Sequence, residues 1–168
     1  AQENETKTIE SAVNGLKFRS IGPALMGGRI ADIAVNPANK NQWYVAAGSG
    51  NLWKTDNRGI TWTPVFDHQA SYSIGCVTID SNNPEVVWVG TGENVSGRHV
   101  GWGDGVYKSM DGGKSWTNMG LQKSEHIGKI LIDPRNSNVA LVAAEGPLWS
   151  SGGDRGVYRT GDGGKTWE

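Results

Sequence analysis

One turn is written three times along this chain. Thr55–Trp62 reads TDNRGITW, Ser109–Trp116 reads SMDGGKSW and Thr160–Trp167 reads TGDGGKTW, which reduce to S/T-x-D/N-x-G-x-S/T-W. The closing tryptophans, Trp62, Trp116 and Trp167, stand 54 and then 51 residues apart. Self-similarity at a fixed period near fifty is the mark of a repeat architecture, in which each unit covers the apolar faces of its neighbours. This aspartate turn is therefore the reference against which the remaining sequence is aligned.

The agreement extends on both sides of the turn. RIADIAVNP, SIGCVTIDS and HIGKILIDP align on Ile30, Ile74 and Ile127. Each is followed by an apolar run (WYVAAG, VVWVGTG, ALVAAEG) and by a third run (NLWKT, GVYKS, GVYRT) that leads into the turn. These segments are short, rich in Val, Ile, Trp and Tyr, and bounded by Asn, Pro and Gly, as strands are. No helical period occurs. Four short strands per fifty residues describe a blade of a β-propeller. The sequence thus predicts an all-β fold, a propeller fragment of about three four-stranded blades with aspartate turns between the third and fourth strands. The blades are expected at about 30–66, 74–119 and 127–168, within a partial propeller over 18–168 and after a polar leader over 1–17. The fourth strand of the last blade is expected to begin at Thr166. Three blades cannot close a ring, which needs four to eight. The chain is therefore expected to belong to a longer polypeptide or to pair with other chains, with Leu16–Ile21 supplying the outer strand of the missing last blade.

In the turn, the carboxylate of Asp111 or Asp162 can accept from nearby backbone N–H groups, and Gly113, Gly164 and Gly59 can take positive φ. Asn57 keeps the accepting oxygen and is expected to substitute without penalty. The tryptophan is expected to lie between strands. One aspartate per turn is too few oxygens for calcium, so these residues read as structural.

Composition narrows the partners. Lys+Arg number 16 against 17 Asp+Glu, without a basic run, which argues against nucleic acid and anionic membranes. No apolar stretch is long enough to span a bilayer as a helix. The single cysteine, Cys76, excludes an internal disulfide. His68, His99 and His126 lack the paired spacing of a zinc site, and no metal or cofactor is implied. The opening AQENETKT resembles a chain just released by signal peptidase, so export to the periplasm, cell surface or extracellular space is expected.

The turns Thr55–Trp62, Ser109–Trp116 and Thr160–Trp167 resemble the Asp-box, or bacterial neuraminidase, repeats found in sialidases, xyloglucanases and sortilin-type receptors. FRSIGPALMGGRIADIAVNP, VWVGTGENVSGRHVGWGDGVYKSMDGGKSW and HIGKILIDPRNSNVALVAAEGPLW are similar to the large exported bacterial sortilin-like and "glycosyl hydrolase" propellers of that kind. That resemblance implies a propeller and leaves function open between binding and glycoside hydrolysis.

Candidate functional residues follow from the loop lengths. The loops between second and third strands share one face of the blades with the starts of the inner strands. Two are long, GENVSGRHVGWGDG and EGPLWSSGGDRG, and long ordered loops on a rigid scaffold are the usual binding surface. Candidate ligand contacts are Arg29, Glu93, Arg98, His99, Trp102, His126 and Glu145, for a glycan or a protein partner, with Trp149, Asp154 and Arg155 on the same loops; the same mixture also fits an ordinary rim packed on the next blade. Arg29, Ser73 and His126, with Asp32, Cys76 and Lys129 three positions on, are expected around the upper pore. No catalytic residue can be assigned. Asp32 is the candidate, because its place after Gly27 and Gly28 resembles, one residue out of register, the catalytic aspartate of xyloglucanases. An Asp32–Arg29 ion pair is the structural alternative. The main reading is an exported ligand-binding or assembly module, and the alternative is a glycoside hydrolase completed by absent blades.

Overall fold

The computed structural model describes residues 28–168, so the polar leader and the expected strand at Leu16–Ile21 lie outside the described residues. Among the described residues eleven strands form three antiparallel sheets. The first sheet is β1 (Ile30–Val35), β2 (Trp43–Ala47), β3 (Asn51–Thr55) and β4 (Thr63–Pro64), in that order. The second is β5 (Ile74–Ile79), β6 (Val87–Thr91), β7 (Val106–Ser109) and β8 (Thr117–Asn118), paired in the same way. The third holds β9 (Ile127–Asp133), β10 (Asn136–Ala144) and β11 (Gly156–Thr160). Each sheet is one blade, and β1, β5 and β9 are the neighbouring inner strands.

The third sheet has three strands among the described residues, and its expected fourth strand is represented by one backbone pairing. Glu168 exchanges both backbone hydrogen bonds with Arg159, at 2.8 and 2.9 Å. This is the register that Thr63 holds opposite Lys54 and Thr117 opposite Lys108. Thr166, where the strand was expected to begin, instead uses its N–H and hydroxyl to close the turn onto Asp162, at 3.0 and 2.6 Å.

Blade faces explain the apolar alternation. Val77, Val87, Val89 and Tyr107 of the second blade pack with Tyr44, Ala46, Leu52 and Phe66 of the first. Cys76, Trp88 and Val106, on the opposite face, pack with Ile127, Ile130 and Val142 of the third. Every residue of β6 is consequently buried. The outward faces of the two flanking blades are open among the described residues, with Ile33 and Val35 exposed on one and Leu131 and Val157 on the other.

The turns behave as small hydrogen-bonded cages. Asp111 Oδ1 accepts from the N–H groups of Lys114 and Ser115 (3.0 and 2.9 Å) and from the Ser109 hydroxyl (2.8 Å), while Oδ2 accepts from the Ser115 hydroxyl at 2.5 Å. Asp162 repeats the arrangement with Thr160 and Thr166. Asn57 Oδ1 keeps the bonds to the Thr61 N–H and the Thr55 hydroxyl, and its Nδ2 donates to the Thr61 hydroxyl where an aspartate would accept.

The tryptophans correct an expectation. Trp116 and Trp167 are not confined to the strands of their own blade; they reach back to the preceding one. The Trp116 indole donates to the Val65 carbonyl at 2.7 Å and meets Phe66 edge-on at 5.1 Å. Trp167 donates to the Met119 carbonyl at 2.7 Å and meets Trp88 at 6.3 Å. Trp62, in the first described blade, has no such contact among the described residues and is 39% exposed.

A bulge recurs at the head of every inner strand, between Ile30 and Asp32, between Ile74 and Cys76, and opposite Ala143 and Ala144 in the third blade. Bulges reset side-chain alternation and twist the strand. At Gly75 the backbone comes so close on both sides that a Cβ would fall 2.4 Å from the carbonyl oxygen of Gly92 in its own blade and 2.4 Å from that of Ile127 in the next.

Candidate functional site

The β2–β3, β6–β7 and β10–β11 connections do share one face with the residues that open β1, β5 and β9. The second of them, Gly92–Gly105, is the organising element. Thr91 and Asp104 clamp its two ends, with the Asp104 N–H donating to Thr91 Oγ1 at 2.8 Å and the Tyr107 hydroxyl donating to Asp104 Oδ2 at 2.5 Å. Its middle is bolted to the third blade by the Gly103 N–H on the Glu125 carbonyl (2.8 Å), and its Trp102 carbonyl accepts from the Ser71 hydroxyl (2.9 Å).

Glu93 is the hub of this loop and is buried. Its carboxylate accepts from the Ser49 hydroxyl and from the Gly101 N–H (3.1 Å) and forms an ion pair with the half-exposed guanidinium of Arg29. The first blade thus grips the loop of the second. A buried carboxylate is tolerable only when paired and hydrogen-bonded in this way. Arg29 also contacts His99 Nε2 at 3.3 Å. A small cavity of about 90 Å³ lies beside this pair, lined by residues including Arg29, Gly48, Glu93 and Asn94.

His126 is fully buried, with Nδ1 2.8 Å from the Glu93 carbonyl oxygen. A carbonyl only accepts, so Nδ1 carries the proton and Nε2 presents a lone pair. Burial lowers the imidazole pKa, opposed by Glu145 and Glu125. Glu93 and His126, expected as ligand contacts, therefore support the rim from below. Ser73 is buried as well, its hydroxyl donating to the Gly48 carbonyl. Glu145 is half-buried over Gly128. Arg98, His99, Trp102 and Trp149 reach the surface, with Trp102 64% and Trp149 66% exposed. Asp154 and Arg155 hold their own loop, through the Lys123 N–H at 3.0 Å and the Pro147 carbonyl at 2.5 Å.

Two pore expectations are corrected. Asp32 does not pair with Arg29, which is committed to Glu93. Its Oδ2 pairs with Lys129 of the third blade at 2.8 Å and accepts from the Val77 N–H at 3.3 Å, so it ties three inner strands together. Cys76 does not face the pore, because the bulge before it turns the thiol into the core against Ile127; desolvation there, and next the Asp32 charge, push its pKa up to about 12.

Sequence reasoning passed over Ser49, Ser71 and Ser124 as anchors. Ser71 and Ser124 both sit three residues before an inner strand opens, and each hydroxyl binds the backbone of the residue two positions on, Ser73 or His126. The repeat alignment already contained this signal.

No family model matches the chain. It is similar to a xyloglucanase of Hypocrea jecorina, 29% identical over 161 residues, covering 81% of this chain and 18% of that protein. The chain spans less than a fifth of the length of the curated relatives it matches. Among solved structures, the GH74 enzyme of Niastella koreensis superposes with a TM-score of 0.61 at 26% identity, covering 81% of this chain and 20% of that one. YCF48 bound to a D1 peptide superposes with a TM-score of 0.56 at 19% identity, covering 91% and 44%. The chain is a β-propeller fragment. No helix of the described residues is long and apolar enough to cross a membrane.

Proposed function

We propose that this segment is the glycan-recognising face of a longer, exported propeller, and that the two long loops carry the recognition. The observation that supports this is the pair of exposed indoles, Trp102 and Trp149, raised on loops of adjacent blades at the same end as Arg98 and His99. Exposed aromatic surface on rigidly held loops is costly unless it is covered. An indole plane suits the apolar face of a pyranose, while the guanidinium and imidazole suit its hydroxyls. The xyloglucanases among the relatives make a glycan a better candidate than a protein ligand. Further blades flank the open faces of the first and third sheets in this reading. Titration with xyloglucan oligosaccharides tests it. Trp102→Ala or Trp149→Ala is expected to weaken binding about tenfold or more, and unchanged affinity in both refutes the assignment.

A second reading, glycoside hydrolysis, is favoured by the same relatives. Two carboxylates must then work from opposite sides of the scissile bond. Asp32 would be one, although its oxygens are engaged by Lys129 and the backbone. Release of reducing ends from xyloglucan by the full-length protein, abolished in Asp32→Asn, would establish hydrolysis; release unaffected by that substitution would remove Asp32.

A further inference from the structure

Both interfaces between described blades are closed by the same contacts. At the first, the Lys54 ammonium donates to the Gly112 carbonyl (3.2 Å), as does the Tyr44 hydroxyl (2.9 Å), and the Tyr44 ring lies under Gly113. At the second, Lys108 donates to the Gly163 carbonyl (3.1 Å) and the Trp88 ring lies under Gly164. The aspartate turns of the second and third blades are thus each capped by a cation from the third strand of the blade before. A Cβ at Gly112 would fall 2.7 Å from Glu85 Oε2 and 3.6 Å from Lys54 Nζ, and one at Gly163 would lie 3.2 Å from Lys108 Nζ. Glycine at this turn position, at φ 69° and 76°, lets the turn sit close against its neighbours.

The outer members of the row depart from this in complementary ways. In the first blade the equivalent turn position is Arg58, in the left-handed region at φ 58° and exposed. In the third blade the equivalent cation is Arg159, and Leu141 stands where Tyr44 and Trp88 stand in the other two. Both are exposed and line a cavity of about 630 Å³ on the open flank. Arg159 pairs with the Glu168 carboxylate at 2.5 Å.

We propose that the open flank of the third blade is a receptor for a further blade whose aspartate turn carries glycine at this position, and that Arg58 bars the first blade of a second copy from taking that place. The cavity is the continuation of the two interfaces already formed: an apolar floor at Leu141 for the turn and a guanidinium at its rim for the turn's carbonyl. A turn bearing Arg58 brings a second guanidinium against Arg159, leaving two cations to share the one carboxylate of Glu168 where water is being excluded. The pair of positions, turn residue and third-strand residue, therefore works as a matching rule that sets which blades can be neighbours. It rests on the reading that further blades flank these three, and it is independent of the glycan.

The chain itself carries both halves of the test. Arg58→Gly is compatible with the backbone, since glycine adopts positive φ without strain, and it converts the first turn to the accepted type. Sedimentation velocity across a concentration series is expected to show wild type remaining monomeric where Arg58→Gly self-associates head to tail, at least tenfold more tightly. Arg159→Glu, which turns the repulsion into attraction for Arg58, is expected to self-associate in a way that weakens with salt. The double variant, with no cation to cap the turn and no Arg58 to attract, is expected to return toward wild type. Wild-type self-association equal to that of Arg58→Gly overturns the exclusion. Monomeric behaviour of both single variants overturns the receptor. Xyloglucan titration of the same proteins reads the glycan assignment separately, because the turns lie at the opposite end of the blades from the long loops.

Discussion

Replacing Trp116 by alanine should cost about 2 kcal/mol more than replacing Trp62, although the two occupy the same position of the repeat. Both rings cover the glycine of their own turn, where a Cβ at Gly59 or Gly113 would approach the indole to 3.2 or 3.5 Å. That contribution is shared and cancels in the comparison. Trp116 additionally donates to the Val65 carbonyl at 2.7 Å and meets Phe66 edge-on at 5.1 Å, and Trp62 has neither contact among the described residues. A net hydrogen bond is worth about 1 kcal/mol and an aromatic pair about 0.5–1.5 kcal/mol beyond its buried area. Trp116→Phe should then lose about 1 kcal/mol, keeping a ring against Phe66 while giving up the N–H donor. Urea unfolding followed by far-ultraviolet circular dichroism measures all three without relying on the fluorescence of the residues removed. Equal losses for Trp62→Ala and Trp116→Ala would refute the argument, because they would mean that the ring acts inside its own blade.

Acid should loosen the second turn within a defined window. The Ser115 hydroxyl, then the Ser115 N–H and the Ser109 hydroxyl, hold the Asp111 pKa down from 3.8 to about 2. The folded value is the lower one, so the stabilisation is complete above about pH 4 and drains away as pH falls toward 2. Acid-unfolding curves of Asp111→Asn should be flatter than wild type in that interval, and an identical slope would rule the carboxylate out as its source. Cys76 should resist iodoacetamide in the native protein and react only in denaturant, since a thiol with a pKa near 12 offers almost no thiolate; labelling followed by mass spectrometry decides this. Glu93→Ala removes the acceptor for Ser49 and the Gly101 N–H and the partner of Arg29, and is expected to destabilise by about 1–3 kcal/mol. Limited proteolysis should then cut within Gly92–Gly105, and an uncut loop would show that the clamp at Thr91 and Asp104 suffices.

The sequence by itself determined the repeat, the order of strands within a blade and the aspartate turns, because these are written in local patterns: alternation along a strand, glycine where φ must be positive, a carboxylate within reach of its own backbone. It also determined which loops are long and hence which end of the blades carries Arg98, His99, Trp102 and Trp149. Only the tertiary structure decided partners. Trp116 meets Val65 at a separation of 51 residues, Asp32 meets Lys129 at 97 and Arg29 pairs with Glu93 rather than with the nearby Asp32. Which carboxylate a guanidinium finds depends on how adjacent blades are rotated against each other, and no run of residues encodes that rotation. The bulge ahead of Asp32 and Cys76 belongs to the same class. One extra residue reverses which side of a strand faces the pore, and at Gly75 it lies where the Ile127 backbone of the next blade leaves no room for a Cβ.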